Sequence, residues 1–164
     1  MAFDYEASVN AVVSNLLAHN TTTASPDLSS GLTARVRTVR VDDPEVAATK
    51  YGDLPAVFVR IQSGEEEAAG LGGTGPAGVQ KFKTVVYEVV AMYPRDGAHT
   101  DLPDHIDESY RLAENIEGVF QAEFRLSSTA MWCHPERTDF GGFQFGNVRI
   151  RASVTQLRAR YMFR

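Results

Sequence analysis

The sequence predicts an α+β domain, an antiparallel or mixed β-sheet with two long helices packed on one face and one long hairpin loop. Three observations carry that reading. Two stretches repeat apolar residues at helical spacing, several others alternate apolar and polar with period two, and a glycine- and glutamate-rich segment separates two of the alternating runs. At 164 residues the chain is expected to be a single domain, 1–164, large enough to bury roughly 70% of its unfolded surface.

The first helix is expected over 5–19. Val9, Val12, Val13, Leu16 and Leu17 make one stripe, and Asp4 is placed to cap it. The Thr- and Ser-rich stretch 20–31, with Pro26, reads as a loop. Over 32–41, Ala34 and Val36 alternate with Arg35 and Arg37, which predicts a strand. Asp43-Pro44 is a helix-start signal, since proline at the first helical position lacks only an N–H that would be unpaired anyway. A short helix over 44–51 would stop at Gly52.

The run AVFVRIQ at 56–62 is a second strand, and 79–93 a third. Both faces of the third are apolar near its middle, so it is expected to be covered on both sides. Between them, 63–78 holds six glycines, one proline and the acids Glu65, Glu66 and Glu67. That composition cannot pack a core and reads as a mobile loop, far longer than the usual two to five residues of a hairpin connection. It is either functional, ordering against a partner, or tolerated slack. After a loop at 94–103, Asp104 can cap a helix over 105–124 with Ile106, Tyr110, Ala113, Ile116, Phe120 and Phe124 on its buried stripe. A short strand at 129–133, a turn at Gly141-Gly142 and a long final strand end the chain.

That last segment, 140–164, contains five arginines and no acid, in a chain of net charge -5. Ile150, Ala152 and Val154 alternate with Arg149, Arg151 and Ser153. The parity then slips near Thr155-Gln156, and Leu157, Ala159 and Tyr161 alternate with Arg158 and Arg160. A β-bulge at the slip would send the two arginine pairs to different surfaces. Conversely, 96–123 holds eight acids and, inside it, only Arg111. Opposite charge on two faces suits head-to-tail association of copies, although two solvated faces would have the same composition.

Tests for chemistry come out weak. The glycines of 70–75 precede a strand rather than a helix N-terminus, so they do not form a phosphate loop. His99, Asp101, Asp104, His105, Asp107 and Glu108 are metal-capable but match no ligand spacing, and a solvated acidic helix start explains them. Cys133 and His134 are adjacent in a predicted strand, so they point to opposite faces and cannot act together. Cys133 reads as a small buried hydrophobe. No Gly-x-Ser-x-Gly elbow is present. No catalytic residue, metal or cofactor is therefore expected. Phe140, Phe143 and Phe145, followed by Arg149 and Arg151, could stack on single-stranded nucleic acid, but hairpin packing explains the rings equally. The single cysteine excludes an internal disulfide, the acidic start is unlike a secretory signal, and no apolar run approaches a membrane span of about 20 residues.

The layout resembles the tail terminator (tail completion) proteins of long-tailed bacteriophages. The resemblance spans nearly the whole chain. It rests on the opening helix, AVFVRIQ, the loop, KFKTVVYEVVAMY, ESYRLAENIEGVF and GNVRIRASVTQLRARYMFR. It implies a virion structural protein without enzymatic activity, assembled in the host cytoplasm into a ring, hexameric as in the family, that caps the tail tube, stops its growth and meets the head-tail connector or stopper protein. DNA would only pass through the lumen, and no membrane would be involved. Glu65, Glu66 and Glu67 in the loop, and Arg149, Arg151, Arg158 and Arg160, would make subunit or tube contacts. The rival expectations are another neck component (a head-closure or head-to-tail adaptor protein), a nucleic-acid-binding module using the C-terminal arginines, and a small metal-dependent enzyme around His99 and His105.

Overall fold

A computed structural model of the chain describes residues 2–42, 53–68, 81–94, 106–145 and 148–163. Its elements are α1 (Tyr5–Ala18), β1 (Thr38–Val41), β2 (Ala56–Ala68), β3 (Lys81–Pro94), α2 (Ile106–Ala122), β4 (Trp132–Phe145) and β5 (Val148–Phe163). The strands form one mixed sheet in the order β1-β2-β3-β5-β4. Only the β1–β2 pair is parallel; the other three are antiparallel. The class is thus α+β with a mixed five-stranded sheet.

α1 begins where Asp4 accepts the Ala7 N–H at 2.9 Å, satisfying one orphan donor of the first turn. One apolar cluster gathers Val9, Val12, Val13 and Leu16 from α1 and Leu112, Ile116, Val119 and Phe120 from α2. Val57, Val59, Val85, Tyr87, Val89, Leu157, Ala159 and Tyr161 of the sheet complete it. A second cluster, Leu54, Ala56, Phe58, Val90, Met92 and Ile150, takes the residues of opposite parity. β3 supplies both clusters, which explains why its middle is apolar on both faces. Where α1 starts, Gly64 of β2 lies beneath Tyr5, and a Cβ there would stand 2.7 Å from the Tyr5 hydroxyl. A glycine is needed for that approach.

Several expected elements are corrected. Residues 32–37 are not a strand: the Thr33 N–H goes to Glu108 at 3.0 Å and the Val36 N–H to Ser29 Oγ at 2.9 Å. Side chains have taken the groups a ladder would need. The loop expected at 63–78 is strand as far as Ala68, with Glu65, Glu66 and Glu67 in register with Thr84, Lys83 and Phe82. Gly141 and Gly142 are not a turn but ladder residues opposite Ala152 and Arg151, and β4 runs on to Phe145. On α2 the buried positions are Leu112, Ala113, Ile116, Val119 and Phe120, while Ile106, Tyr110 and Phe124 are exposed. The helix expected at 44–51, the Asp104 cap, residues 69–78 of the loop and His99 to His105 lie outside the described residues.

Candidate functional site

β5 contains no bulge. Its ladder to β3 is continuous from Lys81↔Phe163 to Pro94↔Ile150, passing Thr155 and Gln156 without a shift. The change in apolar parity is a change of buried face. Ile150 packs in the second cluster, whereas Leu157, Ala159 and Tyr161 pack among the helix residues. A straight strand with period two therefore sends Arg149 and Arg151 to the helix-cluster face and Arg158 and Arg160 to the opposite one. The extra residues belong to the neighbouring strands: Glu136 in β4, between Pro135↔Leu157 and Arg137↔Gln156, and Gln62 in β2, between Ile61↔Tyr87 and Ser63↔Val86.

On the face away from the helix cluster, Arg158 Nε lies 3.3 Å from Glu136 and Arg160 Nη2 lies 3.0 Å from Glu67. The Arg160 guanidinium also sits 4.5 Å above the Phe82 ring, and its Nε is buried without a hydrogen-bond partner among the described residues. Trp132 and His134 stack at 4.9 Å on the same rows of the sheet. Glu65, opposite Thr84, shares this face. Glu66 points the other way. A hydrogen bond from Lys81, at 2.9 Å, holds its carboxyl below the ordinary carboxylate range.

The seven expected contact residues thus separate into two surfaces. Glu65, Glu67, Arg158 and Arg160 come together on one face at one end of the strands. Arg149 and Arg151 emerge on the other face at the far end, with Glu66 on that face but near the first end. Beside Arg151 lies a groove of about 210 Å³ lined by Ile106, Ser109, Tyr110, Phe140, Gly141, Arg151 and Ala152. Tyr110 and Phe140 meet edge-to-face at 5.0 Å while staying 43% and 55% exposed. Sequence reasoning missed this groove because it assigned Tyr110 to the buried stripe and Phe140 to a turn. The signal available was the Phe-Gly-Gly step beside an arginine-bearing strand.

Among the described residues the interior thiol is not poised for reaction. Cys133 is fully buried, and burial pushes its thiol up to about 12, the reverse of what an attacking thiolate requires. The Tyr87 and Tyr161 hydroxyls share a 2.7 Å hydrogen bond in the core, and burial raises both phenols, Tyr87 to about 12. Glu108 is occupied by Thr33 and the Tyr93 hydroxyl. Among the described residues no three His, Cys, Asp or Glu side chains gather as a metal site, and no helix is long and apolar enough to cross a membrane. No protein-family model matches the chain, and no curated protein matches it.

Proposed function

We propose that the chain is a virion structural subunit of the tail-terminator kind. It assembles as a ring, six-fold as in the proteins it resembles, at the head-proximal end of a long phage tail. There it stops tube growth and presents the surface that joins the head connector or stopper protein, with DNA passing through the lumen. In this reading the two long helices cover one face of the sheet, and the segment after Ala68 is the tip of a projecting hairpin that reaches the tube. The observation that supports it best is the straight β5, which distributes four arginines between opposite faces and opposite ends of one plate. A subunit in a ring needs unlike surfaces for its neighbours and for the elements above and below it.

A nucleic-acid module would want its arginines clear of acids, because phosphate contacts depend on uncompensated positive charge. Arg158 and Arg160 instead sit against Glu136 and Glu67. The other neck components share the ring logic and differ in what they bind.

The test is to purify the chain, measure its mass in solution by light scattering, and add it to polymerising tail-tube protein from the same phage. Tubes of arrested length with a ring at one end are the expected result. A chain that stays monomeric and leaves tube growth unchanged overturns the reading, and binding only to the connector reassigns it to the neck.

A further inference from the structure

We infer that copies of this chain join head-to-tail by extending the sheet. The outer edge of β4, at 140–145, pairs antiparallel with the outer edge of β2, at 61–68, of the next copy. The inference rests on the ring-forming reading and specifies its interface. It starts from the strand order: β4 is the last strand on one side. On the other side, β1 pairs only with Ala56, Val57, Phe58 and Val59, so from Arg60 onward no described strand covers β2. An uncovered edge presents a row of backbone N–H and C=O groups, a template for another strand.

The two edges are suited to each other. Three antiparallel steps separate β2 from β4, so the two run in opposite directions, and one copy's β4 meets the next copy's β2 antiparallel without inverting either copy, the second copy being displaced along the strands because the two open stretches lie at opposite ends of the sheet. β4 is blunted in its first half by Pro135, which has no N–H, and by the bulge at Glu136. From Arg137 its ladder is regular to Phe145, and the stretch Phe140-Gly-Gly-Phe-Gln-Phe145 has no charge to discourage pairing.

Charge selects the partner. Glu65, Glu66 and Glu67 are exposed on the β2 edge and oppose pairing of that edge with its like. Next to the open part of β4, Arg149 and Arg151 stand across from Gln144 and Gly142. Arg151, opposite Gly142, lines the edge groove with Tyr110 and Phe140. Glu66 and Glu67 already face Lys81 and Arg160, so Glu65 carries the charge that favours the arginine-bearing side of β4 over pairing of the β2 edge with its like. A heterologous contact of this kind closes into a ring when its rotation closes.

The experiment uses two single variants of the full chain, Glu65→Lys to block the β2 edge and Phe140→Lys to block the β4 edge, both at exposed positions. Each alone is expected to raise the concentration at half-assembly by about tenfold or more. Mixed, they retain one good edge each and form a discrete heterodimer by light scattering. In the assembled wild type, amide exchange slows over both 61–68 and 140–145. If Glu65→Lys assembles like the wild type, if the mixture yields no heterodimer, or if either edge exchanges as fast in the assembly as in the monomer, the edge pairing is overturned. Tube capping by an assembly with unprotected edges overturns this interface while leaving the ring standing; a wild type that is monomeric throughout overturns the interface, and the ring as well if tube protein does not rescue it.

Discussion

Arg158 reaches back across the ladder to Glu136, its Nε 3.3 Å from the carboxylate, and Glu136 is the residue of β4 that has no register partner on β5. The ion pair is well exposed on both sides, so Glu136→Ala is expected to change stability by no more than about 0.5 kcal/mol. Deleting Glu136 removes the bulge as well, yet it leaves both halves of β4 in register, because Pro135↔Leu157 and Arg137↔Gln156 then become consecutive pairs. Cys133 stays on the helix-cluster face, and the deletion should cost about 1–2 kcal/mol, the strain of a strand refitted without its bulge. Urea denaturation compares the two, and a deletion variant that loses more than about 3 kcal/mol would show that the extra residue is needed to hold 132–135 in place.

Much of the architecture was legible because it depends on local periodicity. The α1 stripe, the AVFVRIQ strand and the doubly apolar β3 all follow from spacing alone. The parity slip in β5 was visible too, but a slip has two causes, a bulge or a change of buried face, and only the neighbouring strands decide between them. Glu65, Glu66 and Glu67 concealed the continuation of β2, since their strand state depends on cross-strand Lys81, Lys83 and Thr84 rather than on their own propensity. Gly141-Gly142 hid β4 for the same reason: glycine carries no pattern, and the ladder opposite it does the specifying. The Tyr110–Phe140 groove needed a helix and a strand about thirty positions apart, which periodicity does not report.

The Tyr87–Tyr161 hydroxyl pair predicts unequal single variants. Tyr87 has the Ser8 hydroxyl as a second hydrogen-bonding neighbour, whereas Tyr161 bonds to the Tyr87 hydroxyl. Removing the Tyr87 hydroxyl strands a buried donor, so Tyr87→Phe should cost about 1–3 kcal/mol, and Tyr161→Phe about 0.5–1.5 kcal/mol. Adding Tyr161→Phe to Tyr87→Phe should recover part of the loss, because no unpaired hydroxyl remains. Thermal denaturation of the three variants reads this directly, and strictly additive losses would rule out the pairing.

Leu126, Ser127 and Ser128 take φ of 45°, 54° and 73°, three consecutive residues in the left-handed region between α2 and β4. Leu126 is buried and holds its place by packing, whereas Ser128 is exposed. Glycine relieves the Cβ clash at that φ, and a β-branched residue worsens it. Ser128→Gly should therefore raise stability by about 0.5 kcal/mol, and Ser128→Val should lower it by more than about 1 kcal/mol. Equal melting temperatures for the two would contradict the assigned backbone.

Cys133 gives the fold a built-in alkaline weakness. Its thiol is pushed from 9.0 to about 12 by burial alone, so the native state keeps the proton at pH values where the unfolded chain has lost it. The unfolded state then binds fewer protons, and stability falls as pH rises from the unfolded value of about 9 toward the folded value of about 12. Below pH 9 the contribution is fully present. At pH 10 the loss from this one group should be roughly 1 kcal/mol, growing until the native thiol also ionises. Tyr87, raised from 10.0 to about 12, adds a second loss that starts one unit higher. Cys133→Ala separates them: it lowers stability at pH 7 through a small cavity, but its decline between pH 8 and 10 should be shallower than that of the wild type. Denaturation midpoints across that range check the slope, and parallel curves for the two proteins would mean that Cys133 ionises equally in both states.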